Sequence, residues 1–508
     1  MNNFTNIRKK LGSFFPFSWY PILFGAYPVL ALLSFNIGQV KFEAGWRPLL
    51  VSTAFAGMLF GLLRWLMRDA QRAAFLSTLW LALFFSYGHV CILLTEKWTK
   101  FHFKPWLLLA WFVLAVVAMM WARRTAPSAV GLNAIAFGLV VTSLVQISSG
   151  LGPRSVHALA AEHAPVKTLV RPPNPPDIYY FILDSYARED LLKSAYGYDN
   201  SDFVKALQER GFYVAQCSQS NYSRTELSVA SSLNMAYLQG LDSQFVPDNT
   251  GRLRLWDAFK HSAVRYSLEQ MGYQTISYAT GYAWSELDDV DVFLTPPPFS
   301  SGMTEFETLF LQTTLARHLN DLGWMDADQI MGQNYRDRHM LVFNSMKDVA
   351  KMKGPKFVYV HLLLPHPPFV FGPDGKYTNP ADFWNEEKIY PVDRYEAGYK
   401  NQLTFLNRNL LDTMNTILFE SAIPPIIILQ GDHGPWIQPN PQHFWILNAY
   451  YLPGHAEELY PTISPVNTFR LIFNAYFSGK YDLLKDETYY SPVPKLYDFS
   501  QVAYPCNH

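Results

Sequence analysis

Hydrophobic positions change their rhythm once along this chain. Up to residue 149 they come in five long stretches, at about 17–38, 48–67, 73–95, 105–122 and 129–149. Each approaches the roughly 20 residues that a helix needs to cross a bilayer core. Together they are too many and too long for a cleaved signal peptide. A buried helical bundle in a soluble domain fits less well, because charges are nearly absent within the stretches and cluster between them. Beyond 150 the rhythm shortens. RPPNPP at 171–176 is stiff and extended and marks a linker over 151–177. Short apolar runs then follow: IYYFIL (178–183), FYVAQ (212–216), QTISYA (274–279), KFVYVHLL (356–363), PPIIILQ (424–430) and FWILNAYYL (444–452). Stretches of helical spacing separate them, at 200–210, 252–271, 304–320, 326–351 and 393–420. Strands alternating with helices predict a mostly parallel central sheet covered by helices on both faces. The expected organisation is an α-helical membrane domain of five transmembrane helices over 1–150, the Pro-rich linker over 151–177, and one α/β domain over 178–508.

Charge adds an orientation. Arg8, Lys9, Lys10, Arg64, Arg68, Arg72, Arg123 and Arg124 flank the apolar stretches on one side, against Lys41, Arg47, Lys97, Lys100 and Lys104 on the other. This bias of eight to five places the N-terminus in the cytoplasm, and five crossings place everything after 150 outside it. The net charge of −1 gives no electrostatic reason to expect nucleic-acid binding. Of the three cysteines, Cys91 falls in the third apolar stretch. Cys217 and Cys506 could pair in an extracytoplasmic domain or stay as buried thiols.

Candidate chemistry gathers where the apolar runs end. PPIIILQGDHG (424–434) stops abruptly at Asp432-His433-Gly434, and FILDSYARED (181–190) places Asp184 after a strand in the same way. Ligands bind at the carboxyl edge of α/β sheets, and carboxylate and imidazole together suit a divalent metal. Each residue also has a structural reading: Asp184 or Asp432 as helix caps, His433 at the surface. Arg188 could neutralise a phosphate or pair with a neighbouring carboxylate. SNYSRTELSVASSLNM (220–235) opens a Ser-rich helix in which Ser223, Thr225 and Ser228 are alternative nucleophiles or caps. A hydroxyl at a helix start suits phosphate chemistry, through the free N–H groups and the helix dipole. In KFVYVHLLLPHPPF (356–369), His361 lies in or at the end of a strand and His366 in a Pro-fixed turn. With only 13 histidines in 508 residues this pairing is notable; His443 is a weaker candidate of the same kind. The acidic group Glu286, Asp288, Asp289 and Asp291 lacks the glycine-bearing spacing of a calcium loop and is expected as a solvated loop near the active-site rim.

Set in this order, the motifs resemble the membrane-anchored branch of the alkaline phosphatase/sulfatase superfamily, which includes lipoteichoic acid synthases and phosphoethanolamine transferases. The resemblance covers about 178–455, and the helices before it match too. It implies an alkaline-phosphatase-like catalytic domain on the extracytoplasmic side of the cytoplasmic membrane. It also implies Thr225 as nucleophile and metal ligand, and Asp184, Asp432 and His433 as further ligands to one divalent ion, Zn²⁺ or Mn²⁺. His366 would be catalytic, and Arg188, His361 and His443 would bind substrate. The implied activity moves a phospho-head group, of phosphoglycerol or phosphoethanolamine type, from a membrane phospholipid to a cell-envelope glycan or lipid through a phospho-threonine. A phosphodiesterase or phosphatase of the same fold is a second reading, and a non-catalytic membrane binding protein a third. Two departures matter. Ala230 stands where a proline is common after the nucleophile. The single Asp184 replaces the adjacent aspartates of sulfatases, and none of the cysteines sits in a formylglycine motif.

Overall fold

The computed structural model describes residues 18–97, 103–125, 127–150, 169–297, 302–378, 392–435 and 441–503. Arg8, Lys9, Lys10, Lys100 and Cys506, which carried parts of the topology and disulfide expectations, lie outside them. The chain divides into two units, Met1–Pro153 with Ser301–Met331, and Arg154–Ser300 with Gly332–His508.

The first unit holds apolar helices α1 (Tyr20–Phe35), α2 (Trp46–Met67), α3 (Ala70–Lys97), α4 (Lys104–Arg124) and α5 (Ala129–Gly150). Four are long and apolar enough to cross a membrane; α1, at 16 residues, is shorter. Prolines stand in the first turns of α1 and α4, where the missing N–H costs no helical hydrogen bond. The unit also takes in a piece of chain from far downstream. Helix α6 (Glu305–Gln312) buries Phe306 and Phe310 against Val29, Leu30, Leu33 and Phe85. Hydrophobic periodicity carries no sign of this. The 304–320 segment has ordinary helical spacing, and its partners lie more than 200 residues away.

The second unit is built on a seven-stranded sheet of β1 (Ile178–Leu183), β2 (Tyr213–Val214), β3 (Gln274–Tyr278), β4 (Val292–Leu294), β5 (Lys356–Leu362), β6 (Ile426–Gly431) and β7 (Asn448–Tyr451), in the order β2-β7-β6-β1-β5-β3-β4. Pairings from β4 through β3, β5 and β1 to β6 are parallel, whereas β6–β7 and β7–β2 are antiparallel, so the sheet is mixed. A parallel neighbour needs a crossover, usually helical. Among its described residues the β6–β7 connection has only a four-residue 3-10 turn, Pro441–Phe444, so β7 returns antiparallel. Strands β1, β5 and β6 are buried at every position, which is why they read as continuous apolar runs.

Register sets the site. Leu183 pairs with Leu362 on one side and Gly431 on the other. The next residues, Asp184 and Asp432, therefore leave the same carboxyl edge side by side. Gly431 is required there, because a Cβ would lie 2.5 Å from the Tyr186 carbonyl oxygen. Helix α7 (Thr225–Asn234) packs beside this edge with Leu227, Ala230 and Leu233 in the same core as Tyr180 and Ile182.

The acidic group is only in part the solvated loop expected: Asp289 and Asp291 are exposed, but Glu286 is not. Glu286 is buried and accepts from the N–H groups of Thr280 and Gly281, and Asp291 accepts from Thr275 N–H. Asp288 pairs with Lys260, and Asp289 with Arg265 and His261. Backbone N–H groups draw Glu286 inward, while Asp288 and Asp289 meet their cations nearer the surface. Burial pulls the His261 pKa down, but its contacts with Asp257 and Asp289 outweigh this and raise it to about 9. The folded state then holds the proton more tightly than the unfolded chain, whose histidine titrates near 6.5. The stabilisation is complete below pH 6.5 and is lost as pH rises through about 9. Thermal melts from pH 6 to 10 should therefore show the parent losing Tm more steeply over this window than His261→Gln; parallel curves would contradict the assignment.

Candidate metal centre

Asp184, Asp432 and His433 are all buried, and one ligand atom from each lies within 4.8 Å of the others. His433 Nε2 is 3.7 Å from Asp184 Oδ1 and 3.5 Å from Asp432 Oδ2. Ligands held tetrahedrally around zinc are about 3.4 Å apart, so the spacing fits one ion. The hydrogen bonds agree. His433 Nδ1 lies 2.8 Å from the Gly434 carbonyl oxygen and donates to it. That fixes the tautomer and leaves the Nε2 lone pair aimed at the carboxylates. Asp432 Oδ1 accepts from the N–H groups of Ser185 (3.0 Å) and His433 (2.9 Å), while its buried Oδ2 accepts from nothing. A buried carboxylate oxygen with no hydrogen-bond donor is costly without a cation. Burial pushes the Asp184 carboxyl up. The neighbouring imidazoles of His366, His361 (Nε2 at 3.6 Å) and His433 outweigh that and hold it well below the usual carboxylate range.

Residue chemistry alone left three hydroxyls open, with Thr225 favoured by the resemblance, and they differ in place. Thr225 is the first residue of α7 and only partly buried, with Oγ1 3.2 Å from His433 Nε2. Ser223 and Ser228 are buried, and their Oγ atoms have no hydrogen-bond partner. Residue Arg224, at the N-cap, makes no side-chain cap, so the helix start faces the centre uncapped.

The histidines divide. His361 is buried on β5, with Nε2 3.6 Å from Asp184 Oδ2 and no hydrogen-bond partner for either nitrogen. His366 is half-buried. Its Nδ1 donates to the Pro367 carbonyl (2.5 Å), and its backbone N–H bonds to the Asp184 carbonyl (3.2 Å). The ring centroids of His366 and His433 are 6.5 Å apart. His443 is placed differently from the substrate-binding role expected. Its nitrogens face the backbone oxygens of Ser223 (3.0 Å) and Pro435 (3.2 Å), and burial together with the His433 ring lowers its pKa to about 3. A neutral ring donates to only one of these carbonyls and packs against the other, between the strand-end turn and the segment before Thr225. Arg188 is likewise engaged elsewhere. It makes a two-point bond to Asp190 (2.8 and 2.7 Å), reaches the Ser218 carbonyl (3.1 Å) and stacks on Trp445 (4.3 Å). Of its two sequence readings, the carboxylate pair describes this arrangement.

Ser185 escaped the sequence reading. It sits at φ 62°, uncommon for a residue with a side chain. Three tethers hold it: its N–H to Asp432, its carbonyl accepting from Tyr399 Oη (2.8 Å), and its Oγ donating to Asp184 Oδ1 (3.2 Å). Its Oγ is also 3.4 Å from His433 Nδ1. Its position directly after Asp184 was the one available signal.

No family model and no curated protein matches the chain. Among solved structures, the chain is similar to the C-terminal periplasmic domain of EptC from Escherichia coli in complex with Zn, at 11% identity and TM-score 0.44, over 66% of this chain and 94% of that one. It is also similar to the integral membrane lipooligosaccharide phosphoethanolamine transferase A (EptA) from Neisseria meningitidis, at 11% identity and TM-score 0.37, over 89% and 92%. A third similar structure is the phosphonate monoester hydrolase of Agrobacterium radiobacter, at 12% identity and TM-score 0.38, over 62% and 80%.

The geometry makes a prediction that needs no activity assay. Asp432→Ala should abolish tight Zn²⁺ binding in a chelator competition. Glycine accepts φ 62° without strain, so Ser185→Gly removes only the hydroxyl. It should weaken Zn²⁺ about tenfold, the scale of an outer-shell loss, with Tm within a few degrees of the parent. Unchanged affinity in Ser185→Gly would remove Ser185 from the site.

Proposed function

We propose that the chain is a membrane-bound, metal-dependent transferase. It moves a phospho-head group of phosphoglycerol or phosphoethanolamine type from a membrane phospholipid to a cell-envelope glycan or lipid. One observation carries this reading: the Thr225 hydroxyl opens a helix 3.2 Å from the nitrogen that completes the Asp184–Asp432–His433 group. A nucleophile, an anion-binding helix start and a cation site thus converge on one point, as phosphoryl transfer requires. The charge bias of the helix ends supports an extracytoplasmic catalytic domain.

A divalent ion, Zn²⁺ or Mn²⁺, held by Asp184, Asp432 and His433 with Thr225 beside it, would supply positive charge at the Thr225 oxygen and favour its alkoxide. The remaining roles belong to the protein. Thr225 Oγ1 attacks the phosphorus of the lipid phosphodiester. The Thr–O–P bond forms, the bond from phosphorus to the diacylglycerol oxygen breaks, and that oxygen gains the threonine's proton. His366 is suited to carry it, because its ring is fixed on the Pro367 carbonyl with its centroid 6.5 Å from that of His433. An acceptor hydroxyl then attacks the same phosphorus, the Thr–O–P bond breaks, and its proton returns to Thr225. His361 stands ready to bind a phosphate oxygen. Ser185, His443 and Arg188 hold the frame.

Head-group-labelled phospholipid in proteoliposomes tests the proposal. Thr225→Ala should release diacylglycerol several orders of magnitude more slowly than the parent, since a covalent nucleophile is lost. A lost cap would cost only about 1 kcal/mol of stability, so Tm should stay within a few degrees. Ser223→Ala and Ser228→Ala should keep substantial activity. An active Thr225→Ala would move the nucleophile elsewhere. Label appearing as free phospho-head group, with no acceptor product, would make the enzyme a hydrolase.

A further inference from the structure

We propose that residues 302–331 form a cap on the membrane helices whose Leu322–Trp324 turn inserts among phospholipid head groups. The inference concerns the first unit alone and does not depend on the chemistry above. The cap is fastened to one end of the helix bundle. Glu307 pairs with Arg47 in the first turn of α2 (3.2 Å), and Asp321 pairs with Lys104 at the start of α4 (2.6 Å). Phe310 packs on Leu33 near the end of α1. On α3, a Cβ at Gly88 would lie 2.2 Å from the Thr313 carbonyl carbon, so the two backbones touch where glycine alone allows it. Arg317 donates to the Gly88 carbonyl (3.3 Å), and the Tyr87 and His318 rings meet at a tilt, 4.9 Å apart.

What the cap leaves outside is apolar. Leu322 is 63% exposed and Trp324 78%. They follow Asp321 directly, and Lys104 is two residues from Trp106, itself 65% exposed on α4. Trp46 and Phe42, at the start of α2, and Phe35, at the end of α1, are exposed at the same end of the bundle. Tryptophan at the ends of spanning helices favours the membrane interface, and the tip continues this aromatic belt. Its backbone also suits that environment. The N–H groups of Leu322, Gly323, Trp324 and Met325 all bond within the turn, to His318, Asn320 and Leu319, with Gly323 at φ 73°. A turn with its N–H groups satisfied can enter an apolar layer cheaply. The acid within it, Asp321, is neutralised by Lys104 and lies 3.1 Å from His318 Nδ1. Of possible partners, phospholipid is the one already continuous with this surface.

The test uses the full chain in phospholipid vesicles with a benzophenone amino acid at 324. Position 106 is the lipid-facing reference, and position 419, where Phe419 is exposed in the second unit, the apolar control. These sites are on the surface, so folding is kept, and melting curves verify it. After irradiation, mass spectrometry should find phospholipid adducts at 324 at a level comparable to 106 and at least tenfold above 419. Adducts at 324 no more frequent than at 419, with 106 strongly labelled, would overturn the proposal.

Discussion

Two carboxylates leave adjacent parallel strands at the same level and are buried together. That is the constraint on which the rest of the second unit is organised. Like charges in a low-dielectric pocket repel strongly, so each oxygen must be answered. Backbone N–H groups answer Asp432 Oδ1, and the Ser185 hydroxyl and nearby imidazoles answer Asp184. Asp432 Oδ2 accepts no hydrogen bond and lies 3.5 Å from His433 Nε2, a spacing that suits two ligands of one divalent ion.

Much of the surrounding structure serves this geometry. Parallel register puts the two aspartates level, and Gly431 lets the strand end pass beneath the Tyr186 carbonyl. Gly434 allows equally close approach to the His443 carbonyl, 2.8 Å from where a Cβ would stand. His443 then spans from that turn to the residue two before Thr225. The long helix Val392–Glu420 holds the frame from the other side, with Tyr399 on the Ser185 carbonyl and Gln402 on the His366 carbonyl.

Strand ends made Asp184, Asp432 and His433 legible in the sequence, because a buried parallel strand is a continuous apolar run and the polar residue after it marks the carboxyl edge. Thr225 was legible as one of three hydroxyls; which one reaches His433 depends on helix phase, which no local pattern gives. The partners of Arg188 and His443 were only partly legible, because Asp190 is a side chain that the sequence offered, whereas Ser218, Ser223 and Pro435 contribute backbone carbonyls, invisible as side-chain types. Ser185 was missed because its role comes from a backbone angle. The antiparallel edge and the return of 302–331 to the membrane helices are long-range choices, set by crossover length and by Gly88 rather than by periodicity.

The central claim is that Thr225 carries the transferred group. Full-length protein mixed with phospholipid in vesicles, quenched within a turnover and digested, puts that to a direct reading by peptide mass spectrometry. The account predicts a phospho-head-group mass on Thr225, in the peptide that also holds Ser223 and Ser228, with diacylglycerol released in step. Turnover with that peptide unmodified, or with the mass on another residue, would contradict it.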